Sequence, residues 1–204
     1  MKKQILALVL AVVAANMLAG CSDDINIPAV IPGYITIQGE LFSVSLTELD
    51  LSGRALDNSD IEPLRYMVNL TSLMLWGNRI SDVSALAGLV SLTNVGLGDN
   101  RISDVSPLAG LTNLTRLTLG GNQISDVSAL AGLTNLTFLI LGDNQISDVS
   151  ALAGLTNLTT LDLALNSEID AEQIAALRAA LPNTGIRIDP EQALSAGDYQ
   201  LSVQ

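Results

Sequence analysis

The sequence predicts an α/β solenoid whose coils share a parallel β-sheet on the concave face and carry short helical or 3-10 turns on the convex face. Three observations lead to this prediction. The middle of the chain repeats every 22 residues, and within each unit leucines alternate with polar residues, as in a half-buried strand. The 204 residues include only one tryptophan, three tyrosines and two phenylalanines, so regular layers of small branched side chains must fill the core.

Columns of identical residues mark the repeat. In each predicted five-residue strand, two leucines such as Leu117 and Leu119 point inward and the residues beside them point to solvent. An asparagine follows each strand. We expect its side chain to bond both to its own loop and to the next coil, because backbone groups leaving the sheet have no ladder partners. This column is Asn78, Asn100, Asn122, Asn144 and Asn166.

The convex side of each unit begins with an aspartate followed by a serine. We expect the serines Ser84, Ser106, Ser128 and Ser150 to be N-caps of short helical turns. The aspartate column, Asp82, Asp104, Asp126, Asp148 and Asp170, is interpreted as structural capping. Calcium binding is the alternative, although each coil offers one such carboxylate and no bidentate glutamate.

The unit L-x-x-L-x-L-x-x-N, followed by I-S-D-V-S-x-L-A-G-L, resembles the 22-residue leucine-rich repeats of internalins and other bacterial surface proteins. The resemblance covers residues 46–189 and implies a right-handed solenoid and a role at the cell surface. The first unit departs from it, with Arg54 where asparagine is expected. In the last unit, Asp170 is predicted to cap a full helix, Gln173 to complete a capping box, and residues 186–188 to close the sheet.

The N-terminus reads as a signal peptide, with Lys2 and Lys3 before an apolar run too short to span a bilayer. Leu18-Ala19-Gly20-Cys21 resembles a bacterial lipobox, which implies cleavage before Cys21 and acylation of that residue. A generic signal peptide with an incidental cysteine is the alternative. By the same resemblance, Ser22 indicates the outer membrane if the cell is Gram-negative, and otherwise the chain is expected at the cell surface.

The predicted organisation is therefore a lipoprotein signal peptide at 1–20, a tether at 21–33, N-terminal cap strands at 34–45, the solenoid at 46–189 and a C-terminal tail at 190–204. The tether contains prolines and acidic residues, which suit a short semi-extended linker. The cap segment alternates apolar and polar residues around Gln38-Gly39, as in a hairpin, and is expected to cover the open end of the first coil.

Composition excludes several functions. The formal net charge of −12 disfavours nucleic acid as a partner. The chain has no histidine and one cysteine, so no nucleophilic triad or soft-metal cluster is expected, and no cofactor or metal is predicted. Glu48 and Asp50 form a possible carboxylate pair, but they stand on a shallow surface with nothing to raise either pKa. We expect no enzymatic activity.

Two neighbouring repeats, residues 111–132 and 133–154, differ at only three positions. Arg116 is replaced by Phe138, Thr118 by Ile140 and Gly121 by Asp143, all on a strand or its exit. Diversification of the concave face to fit a ligand is one explanation. Greater tolerance of exposed positions to change is the other.

The concave face is accordingly the predicted binding site, because large apolar groups, the single tryptophan and an arginine point to solvent there. Trp76 borders a glycine floor of Gly98, Gly120 and Gly142, which would admit a partner side chain or, alternatively, supplies backbone freedom at the strand exits. The predicted function is protein binding. An envelope scaffold without a concave ligand, and carbohydrate or peptidoglycan binding, are the alternatives. The candidate residues are Met74, Trp76, Asn94, Arg116, Phe138, Ile140 and Asp162.

Overall fold

The computed structural model describes residues 30–31 and 33–189. It begins with a three-stranded antiparallel sheet formed by β1 (Val30–Ile31), β2 (Tyr34–Ile37) and β3 (Glu40–Ser43). Strands β2 and β3 form the expected hairpin, and Gln38 and Gly39 both have positive φ at its turn. Strand β1 lies within the segment predicted as tether and pairs with β2. Ile35 and Ile37 are buried against the first coil and cap the core.

The solenoid contributes one short strand per coil to a seven-stranded parallel sheet, with the strands in sequence order. Each strand has three residues, fewer than the five expected, and the second inward leucine follows directly after the strand, as Leu119 follows Thr118. The predicted α/β solenoid is confirmed. The strands are β4 (Glu48–Asp50), β5 (Ser72–Met74), β6 (Asn94–Gly96), β7 (Arg116–Thr118), β8 (Phe138–Ile140), β9 (Thr160–Asp162) and β10 (Gly185–Arg187).

The asparagine column bonds to its own loop as predicted, but the neighbouring coil that it contacts is the preceding one rather than the next. Asn100 donates from Nδ2 to the carbonyls of Leu97 and Gly98 in its own loop and to that of Leu75 in the coil before. Its Oδ1 accepts from the amide of Ile80, also in the coil before. Each asparagine thus satisfies buried backbone groups on two coils.

The convex side carries the 3-10 helices η1 (Glu62–Tyr66), η2 (Ser84–Leu86), η3 (Ser106–Leu108), η4 (Ser128–Leu130) and η5 (Ser150–Gly154). The prediction that the serines are N-caps is wrong. Each serine is the first helical residue, and its amide donates to the preceding aspartate, as Ser106 does to Asp104 Oδ1 at 2.8 Å. The aspartates therefore supply the capping oxygen.

The first and last coils carry the α-helices α1 (Asn58–Ile61) and α2 (Ala171–Ala180). Asp170 caps α2 as predicted, but Gln173 does not complete a capping box. The side chain of Gln173 instead accepts from the amide of Val149 and donates to the carbonyl of Ser147, joining α2 to the previous coil.

The signal peptide, Cys21 and the tail at 190–204 lie outside the described residues, and their assignments stay predictions. No helix within residues 30–31 and 33–189 is long and apolar enough to cross a lipid bilayer.

Candidate binding surface

The concave face consists of the side chains at the first and third position of each strand, together with the residue two positions after each strand. The parallel register places Arg116 of β7 between Asn94 and Phe138, and Thr118 between Gly96 and Ile140. Because neighbouring strands are about 4.8 Å apart, residues on consecutive strands are in side-chain contact range. All seven candidate residues lie on this face.

Trp76 lies flat across β6. A Cβ built on Gly96 would collide with Trp76 Nε1 and lie 2.6 Å from Met74 Sδ, and a Cβ on Gly98 would lie 2.8 Å from Trp76 Cε3. The indole therefore occupies the space that two glycine residues leave open. Trp76 keeps 38% of its surface exposed.

This arrangement overturns one explanation of the glycine floor, backbone freedom, and corrects the other, space for a partner, at Gly98. Gly98, Gly120 and Gly142 do not adopt positive φ, so backbone freedom is not the reason for them. The space above Gly98 is filled by the indole of Trp76 rather than left open for a partner. At Gly120 a Cβ would meet the carbonyl oxygen of Gly142 at 3.1 Å, so close approach of neighbouring strand exits explains the remaining glycines.

Arg116 and Phe138 form a second cluster. The Arg116 guanidinium carbon lies 4.1 Å from the centroid of the Phe138 ring, close enough for a cation–π contact that contributes about 0.5–1 kcal/mol at an exposed site. Arg116 is exposed and Phe138 and Ile140 are half-buried. Within the described part of the chain, no carboxylate pairs with the Arg116 guanidinium. In so acidic a chain, this leaves an uncompensated cation beside apolar groups.

The three positions that distinguish two neighbouring repeats have different physical explanations. Arg116 and Phe138 are direct neighbours in the sheet, and so are Thr118 and Ile140. Gly121 and Asp143 instead share a left-handed backbone conformation, with φ of 68° and 55°. Glycine and aspartate are both tolerated there, so the third difference reflects backbone geometry and not the binding surface.

Asp162 lies on the predicted face but is not available as an open contact. It is 9% exposed. Its Oδ1 accepts from the amide of Ala164 at 3.0 Å, and its Oδ2 pairs with Arg187 of the closing strand at 2.8 Å. Asn94 is half-buried, with a single long contact of 3.4 Å to Ser72 Oγ. Of these two candidate residues, Asn94 is therefore the more available polar contact.

Two residues of this surface, Gly96 and Thr118, were not among the candidate residues that the sequence predicted. Gly96 replaces the larger side chain found at the third strand position of the neighbouring coils, and its position next to the single tryptophan was the available signal. Thr118 has a buried Oγ1 without a hydrogen-bond partner among the described residues. No feature of the sequence predicts the burial of this Oγ1 atom, because the burial depends on the neighbouring side chains.

The carboxyl group of Asp50 does not have the electrostatics of a general acid. Hydrogen bonds from the Ser52 side chain and amide lower the pKa of the Asp50 carboxyl, which keeps it ionised and unsuited to act as a general acid. Among residues 30–31 and 33–189, no group of three or more acidic or sulfur-bearing side chains could hold a metal ion.

These features define a class of protein: a parallel-sheet solenoid in which each coil supplies one strand and five successive coils supply an asparagine that bonds to backbone groups of two coils. A family model described as leucine-rich repeats in two copies matches residues 68–109, 90–132 and 134–179, which is more than half of the chain. The chain belongs to the leucine-rich-repeat family. The comparisons indicate no catalytic family.

Solved structures resemble the chain in the same way. Internalin C2 of Listeria monocytogenes is 31% identical, with a TM-score of 0.55, over 78% of this chain and 83% of the internalin. An internalin (inlF) of the same species is 25% identical, also with a TM-score of 0.55, over 78% of this chain. A leucine-rich-repeat protein of Leptospira interrogans is 25% identical, with a TM-score of 0.61, over 70% of this chain.

The chain spans 62% of the inlF structure and 37% of the Leptospira structure. A search of curated proteins found no match.

Proposed function

We propose that this chain is an exported lipoprotein, anchored to a membrane of the cell envelope through Cys21, that binds a protein partner through its concave face. The single observation that supports partner binding is the arrangement on that face. A partly exposed indole and an unpaired Arg116 stacked on Phe138 stand on a rigid sheet. Tryptophan and arginine dominate the binding energy of protein interfaces, and a rigid support reduces the entropy lost on binding.

The anchor is supported by sequence alone. Cys21 is the single cysteine of the chain and follows Leu18-Ala19-Gly20 directly. Several acyl chains, at about 0.8 kcal/mol per buried methylene, would hold the chain stably on a membrane. An outer-membrane location in a Gram-negative cell, or otherwise the cell surface, follows from the same motif.

Carbohydrate is the weaker candidate ligand. A sugar site on this face would use Trp76 as a platform together with polar side chains that bond to hydroxyl groups. Asp162, one of the expected contacts, is already engaged by Ala164 and Arg187. Ser52 and Ser72 also lie near Trp76 and are not buried. The apolar and cationic groups at Arg116, Phe138 and Ile140 nevertheless suit a protein better than a sugar.

The first test is to identify the partner by proximity labelling of intact cells from the anchored protein, and then to measure its affinity for purified variants. Trp76→Ala, Phe138→Ala and Arg116→Gln are each expected to weaken binding about tenfold or more, which corresponds to about 1.4 kcal/mol. Arg101→Gln is the matched control, because Arg101 is exposed but lies off the strands. Thermal unfolding verifies that each variant is folded.

Three outcomes would contradict the proposal. Unchanged affinity in all concave variants excludes this face as the binding site. Association that is lost only when convex turns are changed indicates a scaffold. Binding to glycans or peptidoglycan that disappears with Trp76→Ala indicates carbohydrate recognition instead.

A further inference from the structure

A second exposed apolar surface lies outside the concave face. At the position four residues before a strand, Val68 is 55% exposed and Val90 is 54% exposed. The equivalent positions of the three following coils carry exposed threonines, Thr112, Thr134 and Thr156. The column is therefore apolar near the N-terminus of the solenoid and polar beyond it.

The fold does not require valine at this position. Asn113 donates to the carbonyl of Val90 at 2.9 Å, and Asn135 donates to the carbonyl of Thr112 at 2.8 Å, so the same backbone contact forms with either residue. Tyr66 and Leu46, which are 52% and 36% exposed, lie in the same N-terminal coils. We call Leu46, Tyr66, Val68 and Val90 the apolar edge.

The apolar edge lies at the end of the solenoid from which the anchor leaves. Strand β2 packs against η1, and Tyr66 is the last residue of η1. The eight residues 22–29 separate Cys21 from β1, and the nine steps from Cys21 to Val30 span at most about 32 Å at roughly 3.6 Å per residue. If Cys21 carries the lipid, β1 cannot lie farther than that from the bilayer. The N-terminal coils follow β1 directly, whereas the threonine half lies farther along the solenoid.

We propose that the apolar edge docks on the surface of the lipid bilayer that holds the anchor. This inference rests on the proposed lipid attachment at Cys21. Aliphatic side chains and a tyrosine suit the boundary between headgroups and acyl chains, where an apolar body and a polar hydroxyl are both accommodated. Docking would fix the direction in which the concave face points from the membrane.

The charges near the apolar edge do not favour an electrostatic contact with anionic lipid, so the contact depends on the apolar side chains. Arg65, next to Tyr66, is paired with Glu62 within η1, and the chain as a whole is strongly acidic. Docking is therefore expected on zwitterionic phosphatidylcholine without anionic lipid and to change little with salt.

The experiment uses the full mature lipoprotein in phosphatidylcholine vesicles that contain a lipid with a nitroxide in the headgroup region. Acylation of Cys21 leaves no free thiol, so a fluorophore can be attached to a single introduced cysteine. Thr112→Cys places it beside the valine half of the column, and Thr156→Cys places it at the equivalent position two coils farther along. We expect quenching at residue 112 to be several-fold stronger than at residue 156.

The double variant Val68→Thr/Val90→Thr supplies the matched control, because it introduces the residue that the later coils already carry. It is expected to reduce quenching at residue 112 to the level at residue 156 while the protein still floats with the vesicles. Two results would overturn the docking and leave the anchor intact. One is equal quenching at both positions, and the other is no quenching at residue 112 although the wild-type protein floats with the vesicles.

Two further outcomes are distinguishable. Failure of the wild type to float contradicts the lipid anchor itself and, with it, the docking. A fluorescence change at residue 112 that depends on the number of proteins per vesicle, and not on the nitroxide lipid, identifies a second copy of the chain as the occupant and overturns the membrane contact.

Discussion

The side chain of Trp76 is positioned by two neighbouring glycines, which have no side chain of their own. The indole rests on β6 because Gly96 and Gly98 have no Cβ to exclude it. Met74 contacts the same space, with its Sδ 2.6 Å from a Cβ built on Gly96. The orientation of the tryptophan on the concave face is thus decided by two glycines of the neighbouring coil.

Gly96→Ala is expected to displace the indole of Trp76 without unfolding the chain, because the atoms in the way belong to movable side chains and not to the backbone. Trp76 is the single tryptophan, so its emission maximum and its quenching by acrylamide report the displacement directly. We expect a red shift and stronger quenching. Gly88→Ala is the control, since a Cβ there meets nothing within 4 Å. Unchanged emission in Gly96→Ala would contradict this account.

At the scale of the coil, columns of equivalent polar side chains form hydrogen bonds that join each coil to its neighbour. Besides the asparagines, each threonine just before a strand donates from Oγ1 to the carbonyl of the equivalent threonine one coil earlier, as Thr115 does to Thr93 at 3.0 Å. The aspartate column holds the convex turns in the same repetitive way. Because each bond recurs in every coil, small contributions add along the solenoid.

The aspartate column makes the convex turns sensitive to acid. Backbone hydrogen bonds from Ser106, Ser128 and Ser150 lower the pKa of Asp104, Asp126 and Asp148 below the usual 3.8. A lowered pKa in the folded state means that the stabilisation is present above the unfolded pKa and is lost as the pH falls through the folded value. The melting temperature should therefore be insensitive to these groups above about pH 5 and fall below about pH 4.

The triple variant Asp104→Ala/Asp126→Ala/Asp148→Ala tests this assignment by thermal melting as a function of pH. It is expected to melt at a lower temperature than the wild type at neutral pH and to lose less on acidification. A variant that keeps the wild-type melting temperature at neutral pH would show that the aspartates do not cap the turns. A rise in melting temperature on addition of calcium that occurs in the wild type but not in the triple variant would favour the ion-binding interpretation.

At the scale of the molecule, one apolar core runs from the cap hairpin to α2, and each coil contacts mainly its two neighbours. The open ends are therefore the weak points of the solenoid. At the N-terminal end, Ile35 and Ile37 cover the first coil. Arg54 pairs with Glu40 and lies over Phe42 of the cap, which accounts for an arginine where the repeat has asparagine.

Ile37→Ala should weaken the cap by about 2–5 kcal/mol, the usual cost of removing a buried isoleucine side chain, and the effect should be local. Hydrogen exchange is expected to accelerate more in β4 and β5 than in β8 and β9. Leu177→Ala in α2 is the reciprocal control and should accelerate exchange at the opposite end. Uniform acceleration in every coil would indicate that the solenoid unfolds as a single cooperative unit.

The period of 22 residues was sufficient to predict the solenoid, the parallel sheet and the inward leucines, because one rule repeated in every coil determines them all. The sequence also placed the candidate residues on one face, since strand alternation is a local property. The anchor at Cys21, by contrast, stays a prediction of the local motif, which lies outside the described residues.

Contacts between coils depended on the tertiary structure. Cross-strand register and the position of each side chain decide three of these contacts. Asp162 pairs with Arg187, Arg116 stacks on Phe138, and the indole of Trp76 fills the space above Gly98. A repeat pattern specifies which residues occupy equivalent positions, but side chains that differ between coils meet only in three dimensions. The sequence by itself thus determined the scaffold, and the stacking of unlike coils decided which groups remain free to bind a partner.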